Sequence, residues 1–201
     1  MQFSPETRLK IVATNLKTML TNRSYVVDDI RIPPNISQEN DYKSLSCTAK
    51  NTCGDLVKIV FLNHPSMQKK VGVTLMRTLM DEMIGEKIRH MIVIVNIGVS
   101  PKTKQEILQH HISGNICVEC FVENRLMFDL VSHALVPLHR LLADGEIKEL
   151  VAKYAEVSKL PILDRLDPVA RYYNFRQGDV VEITRNMFRT TGHYKHYRVV
   201  S

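Results

Sequence analysis

The chain has 201 residues, 44% hydrophobic and 24% charged, with a formal net charge of +6. That length suits one good core or two small ones, no apolar run reaches a membrane span, and the positive charge permits a polyanionic partner without requiring one. Met1–Glu6 shows no secretory h-region, so a soluble intracellular protein is expected.

Ser4-Pro5 opens a helix whose apolar face is Leu9, Val12, Leu16, Met19 and Leu20. Tyr25–Val27 reads as a short strand, and Ile32–Asp41 as a loop because Pro33-Pro34 blocks regular pairing. Leu56–Leu62 is a strand. Leu75, Met76, Leu79, Met80 and Met83 then recur at helical spacing, a stripe that belongs to a core. Met91–Ile97 is apolar without alternation, hence a strand covered on both faces. Ser100 and Pro101 cap and start the next helix, and Asn115–Val122 and Leu126–Val131 read as two more strands. This alternation is that of an α/β layer domain.

Val136-Pro137 marks the exit from that domain, and Asp144–Tyr154 is helical. In Asp167-Pro168-Val169-Ala170-Arg171-Tyr172-Tyr173 the aspartate caps a short helix. Val169, Ala170 and Tyr173 are expected on its inner face, with Arg171 and Tyr172 off it. Gln177-Gly178 turns the chain into the strand Asp179–Ile183, and His193–Val200 is the last strand, with Tyr194, His196, Arg198 and Val200 on one side. Residues from about 132 are expected to fold alone around Tyr154, Val169, Tyr173, Val180, Ile183 and Val199.

Catalytic constellations are missing from the sequence: it has no P-loop, G-x-G-x-x-G, G-x-S-x-G or H-E-x-x-H pattern. A Mg²⁺ nuclease on an α/β layer needs acids and a lysine at one sheet edge. Glu146-Ile147-Lys148 lies off that sheet, and Asp55 beside Lys58 lacks a second carboxylate. Cys117 and Cys120 have zinc-loop spacing but sit in a strand, where i and i+3 point apart, so buried reduced thiols are expected of the four cysteines. Pro137 between His133 and His139 argues against a shared helical face for a metal pair. No metal, cofactor or small-molecule substrate is expected.

Two basic features stay open. Arg185, Arg189, Lys195 and Arg198 meet no acid within residues 185–201, which suits a solvated hairpin face or a polyanion. Lys102 and Lys104 stand in the first turn of a helix, where the dipole disfavours cations by about 0.3–1 kcal/mol. They are solvated lysines or contacts to phosphate, with free backbone N–H groups of the helix start beside them.

The same residues carry a resemblance. His133–His139, Leu160-Pro161, Asp167–Tyr173, Gly178–Val181 and Gly192–Arg198, with Lys70–Val73 and Ile92–Val95 followed by Gly98–Pro101 upstream, resemble the fifth subunit of the eukaryotic nuclear RNA polymerases. The last third is similar to the small archaeal counterpart of that polypeptide. Arg185–Thr190 departs from the Arg-Pro-Ser-Glu-Thr usual in the family.

The resemblance implies a non-catalytic nuclear subunit with two domains. Residues 1–131 would form an α/β jaw, a nuclease-like three-layer fold without its active site, beside downstream duplex DNA. Residues 132–201 would form a small α+β assembly domain docked on the largest subunit. Contacts to the DNA phosphate backbone are expected from Ser100, Pro101, Lys102, Thr103 and Lys104, and the subunit interface from Asp167, Pro168, Arg171, Tyr172, Tyr194 and Arg198. The alternatives are a Mg²⁺-dependent nuclease on the same fold and a free-standing basic DNA-binding protein.

Overall fold

A computed structural model describes residues 3–27, 45–65, 67, 69–113, 116–153, 156–186 and 192–201. The expected loop over Ile32–Asp41, the core position of Tyr154 and most of the divergent Arg185–Thr190 segment lie outside them. The chain divides into two compact units, Met1–Phe128 and Asp129–Ser201. It is mixed α/β, with one sheet in each unit.

In the first unit, Ser4 Oγ accepts the Thr7 N–H at 3.2 Å and Pro5 stands in the opening turn of α1, Pro5–Asn22. Leu9, Val12, Ala13, Leu16, Met19 and Leu20 are its buried residues. Strands β1 (Tyr25–Val26), β2 (Cys47–Asn51) and β3 (Leu56–Leu62) pair antiparallel. Strands β4 (His90–Val95) and β5 (Cys117–Val122) extend the sheet in parallel, in the order β1-β2-β3-β4-β5.

Parallel β3 and β4 are apolar without alternation because both their faces are covered. One face carries Val60, Leu62, Met91, Val93 and Val95, packed with Met76, Met80 and Met83 of α2 (Val73–Gly85) and with Ile107 of α3 (Pro101–Ile112). The methionine stripe is thus core. Ile59, Phe61, Ile92, Ile94 and Phe121 bury the other face. Onto that side α1 is tied by Asn15 Nδ2, donating to the Leu126 carbonyl at 2.8 Å, and by Arg23, which pairs with Glu119.

The expected strand Leu126–Val131 does not form. Glu123–Arg125 makes a 3₁₀ turn, the Leu126 N–H donates to the Glu123 carbonyl at 2.9 Å, and Asp129 Oδ1 accepts the Val131 N–H at 3.3 Å. Local side-chain bonding of this kind competes with strand pairing. Nor are all four cysteines buried: Cys53 is exposed in the β2–β3 turn, and the other three are half-buried.

The second unit has a four-stranded sheet in the order β6-β8-β9-β7, made of β6 (Leu138–Leu141), β7 (Ile162–Leu163), β8 (Val180–Asn186) and β9 (His193–Val200). One face meets α5 (Pro168–Tyr173) through Leu163, Ala170, Phe175, Val181, Ile183 and Val200. The other meets α4 (Asp144–Lys153) through Leu142, Leu150 and Val180, with Tyr197 beside them. Gly178, at φ 92°, makes the turn into β8, a conformation that side chains rarely adopt, and its N–H donates to the Val200 carbonyl at 2.9 Å.

Candidate docking and nucleic-acid surfaces

The start of α3 is pinned from below. Val71 bridges Val99, the Val71 N–H donates to the Gly98 carbonyl, and the Ser100 N–H donates to the Val71 carbonyl, both at 3.0 Å. Gly98, at φ 135°, permits this tight return from β4. Ser100 caps the helix, its Oγ accepting the Thr103 N–H at 3.2 Å.

Thr103 is fully buried and donates its hydroxyl to the Val71 carbonyl at 3.0 Å. The expected DNA-facing role therefore does not fit Thr103, whose hydroxyl locks the helix to the loop. The free donors expected at this helix start are also mostly spent. Pro101 has no N–H and Ser100 takes that of Thr103, which leaves the Lys102 N–H. Pro101, Lys102 and Lys104 are exposed, and so are Lys69 and Lys70, just before the bridged Val71. Lys69 and Lys70 thus precede one partner of the bridge, Val71, and Lys102 and Lys104 follow the other, Val99. Sequence spacing hid Lys69 and Lys70 because only the bridge from Val71 to Val99 ties their segment to this helix start.

In the second unit Asp167 caps α5, Oδ1 accepting the Val169 N–H at 2.8 Å and the Ala170 N–H at 3.4 Å. Pro168 is exposed and Arg171 half-buried. Tyr172, expected off the core face, is only 6% exposed. The reason is helical phase: Tyr172 is three residues from Val169, about 60° round the helix, so both lie in one arc and Arg171 stands opposite. Tyr173 is half-buried, stacked on Phe175 with ring centroids 5.2 Å apart.

On the same side of this sheet Tyr194 meets His196 edge-on at 4.5 Å, and Arg198 Nη1 donates to the Ile162 carbonyl at 3.1 Å. His139 Nδ1–H donates to the Pro137 carbonyl at 2.7 Å. Burial pushes the His139 pKa down against that hydrogen bond, Asp167 opposes the fall and Arg185 and Arg198 add to it. His139 thus senses all three charges. The fold gathers the expected interface residues Asp167 and Arg198 with Arg185 and His139, which sequence reasoning had not joined to them.

The opposite face is electrically balanced. Glu182, 6% exposed, receives Lys195 at 3.1 Å and Arg140 at 3.3 Å, and Arg140 also pairs with Glu146 at 2.9 Å.

One further cluster in the first unit escaped the sequence reading. Glu119 on β5 accepts from Arg23 at 2.7 and 2.9 Å, its Oε1 lies 2.7 Å from His90 Nε2, and the Tyr25 hydroxyl lies 3.2 Å from His90 Nδ1. Burial alone would raise the Glu119 carboxyl, but the Arg23 charge and the hydrogen bonds hold it down at about 2. A carboxylate kept ionised at neutral pH and clamped by a guanidinium is a structural tie, not a proton-transfer group. Glu123 is likewise held by Arg8 at 2.6 Å. The two acids of this sheet edge are spent on arginines, which disfavours the nuclease alternative. Among the described residues no three His, Cys, Asp or Glu side chains could hold a metal ion together.

The family described as RNA polymerase Rpb5, C-terminal domain, matches residues 128–200. The chain is 31% identical over 195 residues to the Dictyostelium discoideum DNA-directed RNA polymerases I, II, and III subunit rpabc1, covering 96% of each chain. It is 28% identical over 202 residues to DNA-directed RNA polymerase subunit 5 of Acanthamoeba polyphaga mimivirus, covering 96% of this chain and 92% of the relative. It is also 43% identical over 74 residues to DNA-directed RNA polymerase subunit Rpo5 of Thermococcus celer, 36% of this chain and 89% of the relative.

Proposed function

Since the chain belongs to the RNA polymerase subunit 5 family, whose members are non-catalytic structural subunits of DNA-directed RNA polymerase, we propose a division of labour between its two units. The second unit docks on the largest subunit and the first is a jaw, of a nuclease-like three-layer kind without an active site, beside downstream duplex DNA. In a eukaryotic cell the polymerase holds it in the nucleus.

The observation that carries the docking half is the unbalanced face of the second unit. Asp167, Pro168, Arg171, Tyr194 and Arg198 remain candidates for contact there, while Tyr172 acts from inside by shaping α5. The DNA half rests on Lys69, Lys70, Lys102 and Lys104, set about the Val71–Val99 bridge at the start of α3, which has no acid in its first turn. Such a group meets phosphates and positions a duplex without reading bases. Lysine-reactive cross-linking of purified polymerase tests the docking. Links from residues 129–201 to the largest subunit support it, and links only to other subunits overturn it.

A further inference from the structure

Strand β6 is an edge of its sheet. It pairs antiparallel with β8, Leu138 opposite Thr184 and Leu141 opposite Val181, and the Leu142 N–H donates to the Val180 carbonyl at 2.9 Å. Bonded and non-bonded pairs alternate along such a ladder. Leu138, Arg140 and Leu142 therefore turn their backbone groups towards β8, and His139 and Leu141 turn theirs outwards. Those two N–H and two C=O groups have no backbone partner among the described residues. The next outward carbonyl, that of Pro137, is already filled by the His139 ring.

Proteins usually blunt an exposed edge with unpaired charge, proline or twist. Here Leu138 is 66% and Leu141 48% exposed, one on each face. The strand's arginine, Arg140, is tied up by Glu146 and Glu182. On the face of His139 and Leu141, Arg185 is exposed, and no acidic side chain pairs with it among the described residues. The acid sensed there is Asp167, a single carboxylate against the two arginines Arg185 and Arg198. That face is therefore positive, whereas the other is balanced.

We infer that β6 takes an added strand: an extended acidic segment of another polymerase chain pairs with the outward groups of His139 and Leu141. It covers Leu138 and Leu141 and sets a carboxylate over Arg185. This rests on the subunit reading above and names the mode of docking. Alternating donors and acceptors along one edge are matched by another backbone, which excludes nucleic acid as the occupant. A second copy of this chain would bring its own Arg185 against the same positive face, which disfavours self-pairing.

The test is amide exchange over residues 138–142 of the full chain, free and within purified polymerase. In the polymerase, exchange at His139 and Leu141 slows by about tenfold or more. Leu141→Pro removes one outward N–H and no bond to β8. It is expected to lower recovery of polymerase with the tagged chain by about tenfold while the free chain melts unchanged, a strand-pairing loss of roughly that fold-change. Arg185→Glu, which leaves the ladder intact, is expected to lower recovery too and decides the matter if the proline variant does not fold. Equal exchange in both states, with the chain inside the polymerase, overturns strand addition and leaves the subunit reading standing. Failure to enter the polymerase at all overturns both. Protection in the free chain that rises with its concentration makes a second copy the occupant and overturns the acidic partner.

Discussion

Arg23, at the end of α1, grips Glu119 on β5 through both guanidinium arms, at 2.7 and 2.9 Å, and only 3% of the arginine side chain is exposed. Removing one partner of such a pair strands a buried charge, so Arg23→Ala is expected to cost roughly 3–5 kcal/mol. Urea unfolding at neutral pH measures it, and a loss below about 1 kcal/mol would contradict a buried tie.

The same pair sets an acid limit. The Glu119 pKa is depressed from 4.5 to about 2, so the folded state holds the carboxylate more tightly than the unfolded chain. Its contribution is fully present above the unfolded value and is lost as pH falls through the folded one. Denaturation midpoints between pH 5 and pH 2 are expected to fall steeply in the native chain and less steeply in Glu119→Gln.

His139 adds a milder dependence of the same sign in the second unit. Burial depresses its pKa below 6.5, so acid charges the unfolded chain first and stability falls as pH drops below the unfolded value. Histidine NMR titration is expected to show one ring titrating below the ordinary range, and His139→Gln to remove it.

Tyr172 and Asp167 separate folding from docking. Tyr172→Ala deletes a buried ring and is expected to cost about 3–5 kcal/mol. Asp167→Ala removes the α5 cap and is expected to cost about 1 kcal/mol. Arg171→Ala is expected to lower polymerase co-purification, and the melting temperature of the same variant separates loss of the interface from loss of the fold.

The elements with one strong local signal were legible in sequence. Ser4-Pro5 and Ser100-Pro101 mark their helices, and the Met76, Met80 and Met83 stripe marks a buried face. What escaped depends on partners far apart in the chain. Thr103 is inward because Val71 needs a donor, and Lys70 joins Lys102 through the Val71–Val99 bridge. Glu119 looks like a surface acid in an alternating strand until Arg23 arrives, 96 residues away. Tyr172 was legible and misread, since three residues from Val169 is the same helical face.

Neutralising Lys102 and Lys104 together is expected to weaken polymerase–DNA complexes equally on all sequences and to lower the salt slope by roughly two units. Nucleotide addition should change little. An unchanged slope with the subunit incorporated would make these lysines solvated bystanders.

Size-exclusion of a cell lysate, with detection of this chain, tests the central claim that it works as a structural subunit. Co-elution with the catalytic polymerase subunits in the several-hundred-kilodalton fractions is the predicted result. Elution of the chain alone, near its own 23.1 kDa mass, would contradict it.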